Sequence, residues 1–326
     1  MIDSASNTLS IIIVNYKSWK VLRDCLNSIS EIIIDDTEIE TIVVDNASND
    51  GEITTFQNDF PLISFLENTG NNGFSNACNL GAKTAKGKYL LFLNPDTILN
   101  KDALSEMLTY YQKHKNCGIV SCLLRNDNGY EKTKRFFPKF NTLFGVLRSI
   151  NKHRLDQQII AKENVISVDW VSGALVLISK NWLEKINFWN EDYWMYFEDV
   201  DLSKKVSDLG GEIALLTNCE IVHNHGGSSR INLKTAKITK SEVIKSKHVY
   251  LRNHFHGSQL FVLQFLVVLI TLLEKIFLGI LSLFVLFIPK ARLYFLLMIE
   301  IINYYFSALF RLSWLSKRSM NYKKHI

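Results

Sequence analysis

Several short stretches hold side chains whose types and spacing could do chemistry. In "LLFLNPDTIL", residues 90–99, an apolar run ends in Asn94, Pro95 and Asp96, so a proline-restricted backbone sets one carboxylate at a strand exit. A single carboxylate there can hold a divalent cation already chelated by a diphosphate, because such a cation takes one or two protein carboxylates and fills its shell with phosphate and water. The same tripeptide is also a common turn into a helix. "YWMYFEDVDLSKKV", residues 193–206, delivers Glu198, Asp199 and Asp201 to a helix start behind a run of mostly aromatic residues. A low-dielectric wall of that kind raises a carboxyl pKa toward the value a general base needs. Favourable pairing with the helix dipole, worth about 0.3 to 1 kcal/mol per acid, is the competing explanation, and it is preferred for Asp201.

His223 and His225 follow a strand and precede "GGSS", where imidazole, backbone N–H and hydroxyl groups can meet an anionic ligand. Spaced i, i+2 on a strand, they point to opposite faces, so one of the two reaches the site. In "VVDNASNDG" a strand ends in Asp45, followed by Asn46 and Ser48. An acid there can accept hydrogen bonds from a nucleobase imide or a ribose hydroxyl, or close an Asx-turn. "GNNGFSNACNLG" is glycine-rich and opens a helix, so it can cradle phosphate, yet it is neither a Walker A loop nor a G-x-G-x-x-G fingerprint.

The elements that must position these groups follow from periodicity. Between residue 9 and about 125, β-rich runs ("LSIIIVN", "IETIVVD", "LISFLEN", "KYLLFLN", "GIVSCLL") alternate with helical patterns. That alternation predicts an α/β fold with a largely parallel sheet and helices on both faces, its ligands gathered at the carboxyl ends of the strands. Three strands ending in Asn15, Asp45 and Asn94 should therefore converge on one rim. The basic, aromatic stretch from about 126 to 165 predicts a mobile loop. After it come "ISVDWVSGALVLIS", a short helix at "KNWLEKI" and the strand "EIALLTNCEIVHN".

The chain has 326 residues, 47% of them hydrophobic, enough for one large domain and an appendage. Its five cysteines are scattered without a C-x-x-C pair, which predicts neither a disulfide framework nor a zinc knuckle and suits a reducing compartment. "MIDSASNTLSIIIVNY" has no basic flank or long apolar core of the kind that directs export. The net charge of +5 conceals a division: residues 230–326 hold 15 Lys/Arg against Glu242, Glu274 and Glu300, and the remainder holds 22 Lys/Arg against 29 Asp/Glu. An acidic body thus carries a basic tail.

That tail holds two long apolar runs, 259–289, interrupted by Glu274 and Lys275, and 293–310, interrupted by Glu300. Each uninterrupted half falls short of the ~20 apolar residues of a spanning helix, and a charge at mid-bilayer costs about 2.5 to 3.5 kcal/mol on insertion scales. Helices lying in the membrane interface are therefore expected, with a hairpin over 259–289 as the alternative. The flanking Arg252, Lys290, Arg292, Arg311, Lys317, Arg318, Lys323 and Lys324 suit anionic head groups. These cations bracket apolar runs instead of interleaving with exposed polar residues, so nucleic acid is not expected as a partner. Two domains are predicted, 1–230 and 231–326.

In their order, "IIIVNYKSWKVLRDCLNSI", "VVDNASNDG", "NTGNNGFSNACNLG", "YLLFLNPDTIL", "DWVSGALVLIS", "WMYFEDVDLSKKV" and "IVHNHGGSS" resemble the family 2 inverting glycosyltransferases, and within them the rhamnosyltransferase-like branch. The resemblance spans residues 9 to about 230. It implies a GT-A fold, Rossmann-like, and a metal-dependent hexosyltransferase active in cell-surface polysaccharide synthesis. It further implies a Mg²⁺ or Mn²⁺ cofactor held by Asp96 in the family's D-x-D position, with His223 closing the metal site and His225 as the alternative.

By the same resemblance Asp199 is the base and Glu198 orients acceptor or metal water. Asp45 pairs with the pyrimidine ring, bordered by Asn15, Tyr16 and Asn46. Asn94, Gly73, Phe74 and Asn79 belong to the donor site, and Trp170, Ser172 and Gly173 line the sugar or acceptor pocket. Two departures stand out. The first acid of D-x-D is Asn94, and the family's frequent arginine after the "GA-hydrophobic" strand is replaced by Ser179 and Lys180, which leaves a phosphate contact unassigned. The expected donor is dTDP-rhamnose first and a UDP-hexose second. The expected acceptor is a lipid-linked glycan at the cytoplasmic face of the membrane. The alternative is a catalytically silent sugar-nucleotide-binding or assembly subunit, which would be expected to lose the base or the metal acid. A processive synthase would carry a Q-x-x-R-W block, and a nucleotidyltransferase a basic phosphate loop.

Overall fold

The computed structural model describes residues 7–127, 129–130, 136–138, 164–224 and 232–324. Most of the stretch expected to form a mobile loop, and His225 with the "GGSS" turn, lie outside the described residues. By internal packing the chain divides into two units, 1–190 with 198–225, and 191–197 with 226–326.

The first unit begins with β1 (Asn7–Asn15), α1 (Trp19–Ser30), β2 (Thr37–Asp45), α2 (Glu52–Asp59), β3 (Ser64–Glu67), α3 (Phe74–Thr84) and β4 (Tyr89–Leu93). There follow β5 (Thr97–Ile98), α4 (Lys101–Lys113), β6 (Cys117–Asn126), β7 (Gly129–Tyr130), β8 (Val165–Ser167), β9 (Leu175–Ser179), α5 (Lys180–Lys185), α6 (Glu198–Asp208) and β10 (Glu212–His223). In one mixed sheet the strands run β3-β2-β1-β4-β9-β6-β10-β5. β3, β2, β1 and β4 are mutually parallel, as are β6 and β10, whereas β9 runs antiparallel between β4 and β6.

Apolar side chains fill both faces of these strands. Ile11 and Ile13 join one cluster with Leu22, Leu26, Leu91 and Leu177, all almost fully buried. α1 reaches that cluster because Trp19, Leu22, Leu26 and Ile29 recur at helical spacing on its buried face. Chain order reverses between β1 and β4, which makes the rim beside Asn15 and Asn94 the switch point where such sheets bind ligands.

In the second unit stand α7 (Leu233–His254), α8 (Gly257–Ser282), a 3₁₀ turn (Leu283–Val285), α9 (Pro289–Arg311) and α10 (Met320–Lys324). Two stretches, 257–285 and 289–311, are long and apolar enough to cross a membrane. Only 22% and 33% of their most apolar windows are buried, so most of that apolar surface is left uncovered by the described residues. α8 runs unbroken through Glu274 and Lys275, both good helix formers, so no turn of a hairpin falls within it. At about 1.5 Å per residue, α8 measures roughly 39 Å, longer than the two short halves its sequence suggested. Segment 191–197 is tied into this unit by Ser246 Oγ donating to Met195 O at 2.9 Å and Asn321 Nδ2 to Asp192 Oδ1 at 2.8 Å.

Helix α3 lies close on the sheet because Gly81 has no side chain: a Cβ there would come within 2.6 Å of Ile12 Cγ2 and 3.2 Å of Val44 Cγ2. Gly81→Ala should therefore cost about 1 to 3 kcal/mol through overpacking, despite alanine's better helix propensity. Thermal unfolding of the full chain checks this, and an unchanged or raised midpoint would contradict it.

Candidate active site

Asp96 is fixed before it is functional. After β4 the chain turns through Asn94 and Pro95, and Thr97 Oγ1 closes the turn by donating to Asn94 O at 2.7 Å. α1 braces it, with Ser28 Oγ accepting from Leu99 N at 3.1 Å. β5 then pairs antiparallel with the end of β10, in the register Thr97 with His223 and Ile98 with Val222. Asn224 N donates to Asp96 O at 2.9 Å. This pairing lays the buried His223 ring beside the carboxylate, Nε2 3.2 Å from Asp96 Oδ1.

Asp199 reaches the same rim by another route. The register of β4 against β9 sets Leu93 opposite Leu175, and Asn94 N donates to Ala174 O at 3.0 Å. One residue earlier, Gly173 N donates to Asp199 Oδ2 at 3.0 Å. A Cβ at Gly173 would meet Asp199 Cβ at 3.5 Å and Phe74 Cε1 at 3.6 Å, so Asp199, this backbone and the aromatic ring converge on one point. Thus the turn that carries Asp96 and the Asp199 carboxylate, about a hundred residues apart in sequence, are joined at the carboxyl end of β4 by one backbone bond, Asn94 N to Ala174 O, and one bond from Gly173 N to the Asp199 side chain.

Glu198 opens α6 in the interior, with Oε2 lacking a hydrogen-bond partner among the described residues. Burial, then the neighbouring Asp199 charge, pushes its carboxyl well above the ordinary range. Immediately before it, Tyr196 and Phe197 both adopt left-handed backbone, φ 71° and 67°. Such strain is retained where surrounding structure demands it, commonly at functional sites. Asp201, assigned from sequence to a structural role, is buried with its carboxylate 3.8 Å from Lys205 Nζ.

On the β1–β2 side the carboxylate of Asp45 accepts from Asn15 Nδ2 at 3.0 Å, Ser48 N at 2.8 Å and Ser48 Oγ at 2.6 Å. The Asx-turn and the strand-end acid are thus the same feature, and Tyr16 stands exposed beside it. Asn46 Nδ2 donates to Gly73 O at 3.2 Å, and Asn68 Nδ2 to Asn46 Oδ1 at 3.0 Å. These amides tie the glycine-rich turn to the rim. Gly73 takes φ 97° and no side chain caps α3, leaving its first N–H groups suited to an anion.

Asn79 faces inward: its amide exchanges two bonds with the Trp189 backbone, at 2.9 and 3.0 Å. It holds the ring of Trp189 edge-on to Phe74 and Phe92, with centroids 5.6 and 5.1 Å apart. Sequence reasoning passed over Trp189, although the aromatic cluster "NFWNEDYW" was its visible signal. Trp170 Nε1 donates to Phe136 O at 3.1 Å and Ser172 Oγ accepts from Ala174 N at 3.3 Å. Ser179 pairs with Tyr89 at the start of β4, and Lys180 Nζ donates to Ala85 O at 2.8 Å. The antiparallel run of β9 carries both to the rim opposite Asp96.

The family model for glycosyl transferase family 2 matches residues 10–186. The low-salt glycan biosynthesis hexosyltransferase Agl10 of Haloferax volcanii is 30% identical over 221 residues, 66% of this chain and 67% of the relative. An N-acetylglucosaminyl-diphospho-decaprenol L-rhamnosyltransferase of Mycobacterium tuberculosis is 21% identical over 242 residues, 69% and 78% of the two chains. Among solved structures, the mannosyltransferase PcManGT of Pyrobaculum calidifontis, in complex with GDP-Man and Mn²⁺, aligns with a TM-score of 0.54 at 17% identity, covering 78% of this chain and 66% of that one. At that identity the likeness concerns the fold, which is GT-A. With its ordered motifs gathered on one rim and the family model matched over more than half its length, the chain is a glycosyltransferase and belongs to glycosyl transferase family 2.

Proposed function

We propose that the protein is an inverting, metal-dependent hexosyltransferase that moves a sugar, rhamnose first among the choices, from a dTDP- or UDP-linked donor to a hydroxyl of a lipid-linked glycan. The observation that carries this reading is the shared rim of Asp96, His223 and Asp199. Relatives named as a hexosyltransferase and as a diphospho-decaprenol rhamnosyltransferase support the sugar and acceptor classes. The Mn²⁺ complex of a structural neighbour supports the metal.

Asp96 and His223 offer one carboxylate and one imidazole 3.2 Å apart. Among the described residues no group of three His, Cys, Asp or Glu side chains could hold a metal. This donor set fits a cation that takes its remaining ligands from a diphosphate and water, and the imidazole favours Mn²⁺ over Mg²⁺. When bound, such a cation supplies charge neutralisation at the departing diphosphate. The uncapped start of α3 faces negative charge with backbone N–H groups, and the Asp45, Asn15 and Tyr16 edge receives the base. Asn79 acts as a positioning residue through Trp189.

Burial, then the Asp199 charge, raises the Glu198 carboxyl well above its ordinary range, and Asp199, held by Gly173 N at 3.0 Å, is the acid that accepts the acceptor hydroxyl's proton as its oxygen attacks the anomeric carbon. Displacement from the face opposite the nucleotide inverts the configuration. The basic, apolar second unit would hold the enzyme at the cytoplasmic membrane surface, its helices lying in the interface or forming a hairpin.

Asp199→Asn should reduce transfer by about 10² to 10⁴-fold while leaving donor binding intact, whereas Asp96→Ala should weaken Mn²⁺-dependent donor binding as well. Calorimetric binding beside a nucleotide-release assay separates the two, and full turnover by either variant would sink the assignment. Glu198 also gives the stability of the fold a direction with pH. Because its folded pKa lies above the unfolded value, its favourable contribution is complete below about pH 4.5 and is lost as pH rises through the folded pKa. Glu198→Gln should thus raise the thermal midpoint at neutral and alkaline pH and flatten its decline. A variant less stable than the parent at pH 8 would contradict this.

A further inference from the structure

An apolar cavity of about 470 Å³ lies within the second unit, lined by Val268 and Leu272 of α8, Ile302 and Leu309 of α9, and Leu312 and Trp314 beyond it. Its origin is the way the two helices meet. At Gly279 they are pressed together, since a Cβ there would lie 2.4 Å from Met298 Sδ. The cavity lies further along the pair, between Val268 and Leu272 of one helix and Ile302 and Leu309 of the other. The walls are mainly apolar, and two polar groups of the lining residues have partners: Tyr305 OH meets His248 Nε2 at 2.9 Å, and Trp314 O accepts from Tyr304 OH at 2.8 Å. Trp314 is held flat against the buried His248 ring, centroids 4.6 Å apart.

Leu312 carries the second, independent observation. It ends α9 in left-handed backbone, φ 51°, a position that favours glycine or asparagine. It is also 90% exposed. A strained, solvent-facing leucine is disfavoured on both counts by stability alone, and at the lip of an apolar cavity it completes a wall for an apolar occupant. Phe306 and Phe310, 60% and 82% exposed, extend the apolar surface. Arg311, between Leu309 and Leu312 in the chain, and Lys317 beyond Trp314 are exposed cations, complementary to a phosphate head group; the Arg311 guanidinium lies over the Tyr322 ring at 5.4 Å, and Arg318 is engaged by the buried Glu242 at 3.8 Å.

We propose that this groove binds the isoprenoid chain of a polyprenyl-phosphate lipid, with Arg311 at the phosphate, and so seats the hydrocarbon part of the lipid-linked acceptor. The proposal deepens the acceptor reading above and rests on it for the identity of the lipid.

The test places the full-length protein in phosphatidylcholine nanodiscs with a benzophenone-tagged polyprenyl monophosphate. Photoadducts should map to residues 268–272 and 302–314 and be displaced by unlabelled polyprenyl monophosphate but not by phosphatidylglycerol. Val268→Trp, which fills the groove, should cut labelling by about fivefold or more. Leu312→Gly should do the same while leaving the thermal midpoint unchanged or raised, because it relieves the left-handed strain. Labelling undiminished in Leu312→Gly, equal displacement by phosphatidylglycerol, or a chain-to-chain crosslink through this groove would overturn the proposal. Transfer to an isoprenoid-diphosphate glycan separates this from the proposed function. No transfer with the groove still labelled would defeat the acceptor reading alone. Equal transfer by Leu312→Gly and the parent would defeat the groove alone.

Discussion

Two residues of antiparallel pairing, Thr97 and Ile98 against Val222 and His223, determine whether the site exists. Asp96 lies just before this short strand and His223 at the last position of a long one, so the hydrogen bonds that join the strands also set carboxylate against imidazole. A slip of one residue would send the ring to the opposite face of the sheet. The turn is correspondingly over-determined, by Pro95, the Thr97 hydroxyl, the Ser28 hydroxyl and the bond from Asn224 N to the Asp96 carbonyl. Backbone braced in this way holds the Asp96 carboxylate and the His223 ring side by side.

The other half of the chemistry depends on β9. Because it runs antiparallel between β4 and β6, its entrance, Ser172 to Ala174, lies at the exit of β4, and Gly173 N is aimed at Asp199. The same reversal takes Ser179 and Lys180 away from the site. Burial then distinguishes the neighbouring acids: the Glu198 carboxyl, enclosed in the interior, is pushed well above its ordinary range, while Asp199 accepts a bond from Gly173 N at the rim. One strand direction thereby fixes which residues meet at the rim, and Asp199 is proposed as the base.

Much of this was legible in the sequence for a physical reason. Strands such as "SIIIVN", "TIVVD" and "YLLFL" are continuous apolar runs that end abruptly in polar residues, so their exits are marked, and Asn15, Asp45 and Asp96 could be placed on one rim. The helix-start acids were equally visible behind their aromatic run. What could not be read depends on contacts between distant segments. β5 is too short to show a pattern, so nothing local joined His223 to Asp96. Asn79 looks like a polar residue aimed at a ligand, yet its amide imitates backbone for Trp189. The charges Glu274 and Lys275 divide the apolar run into halves each too short to span a membrane, yet both residues favour helix, and the continuous helix with its following turn, 257–285, is long and apolar enough to cross one.

The central claim, that Asp96 and His223 form a single metal-holding pair at the rim carrying Asp199, is tested most directly by pulsed electron paramagnetic resonance of Mn²⁺ added to the full-length protein with a nucleoside diphosphate. The account predicts nitrogen modulation from one coordinated imidazole that vanishes in His223→Gln while the diphosphate phosphorus coupling remains. A spectrum without imidazole nitrogen in the parent, or with it undiminished in the variant, would contradict the account.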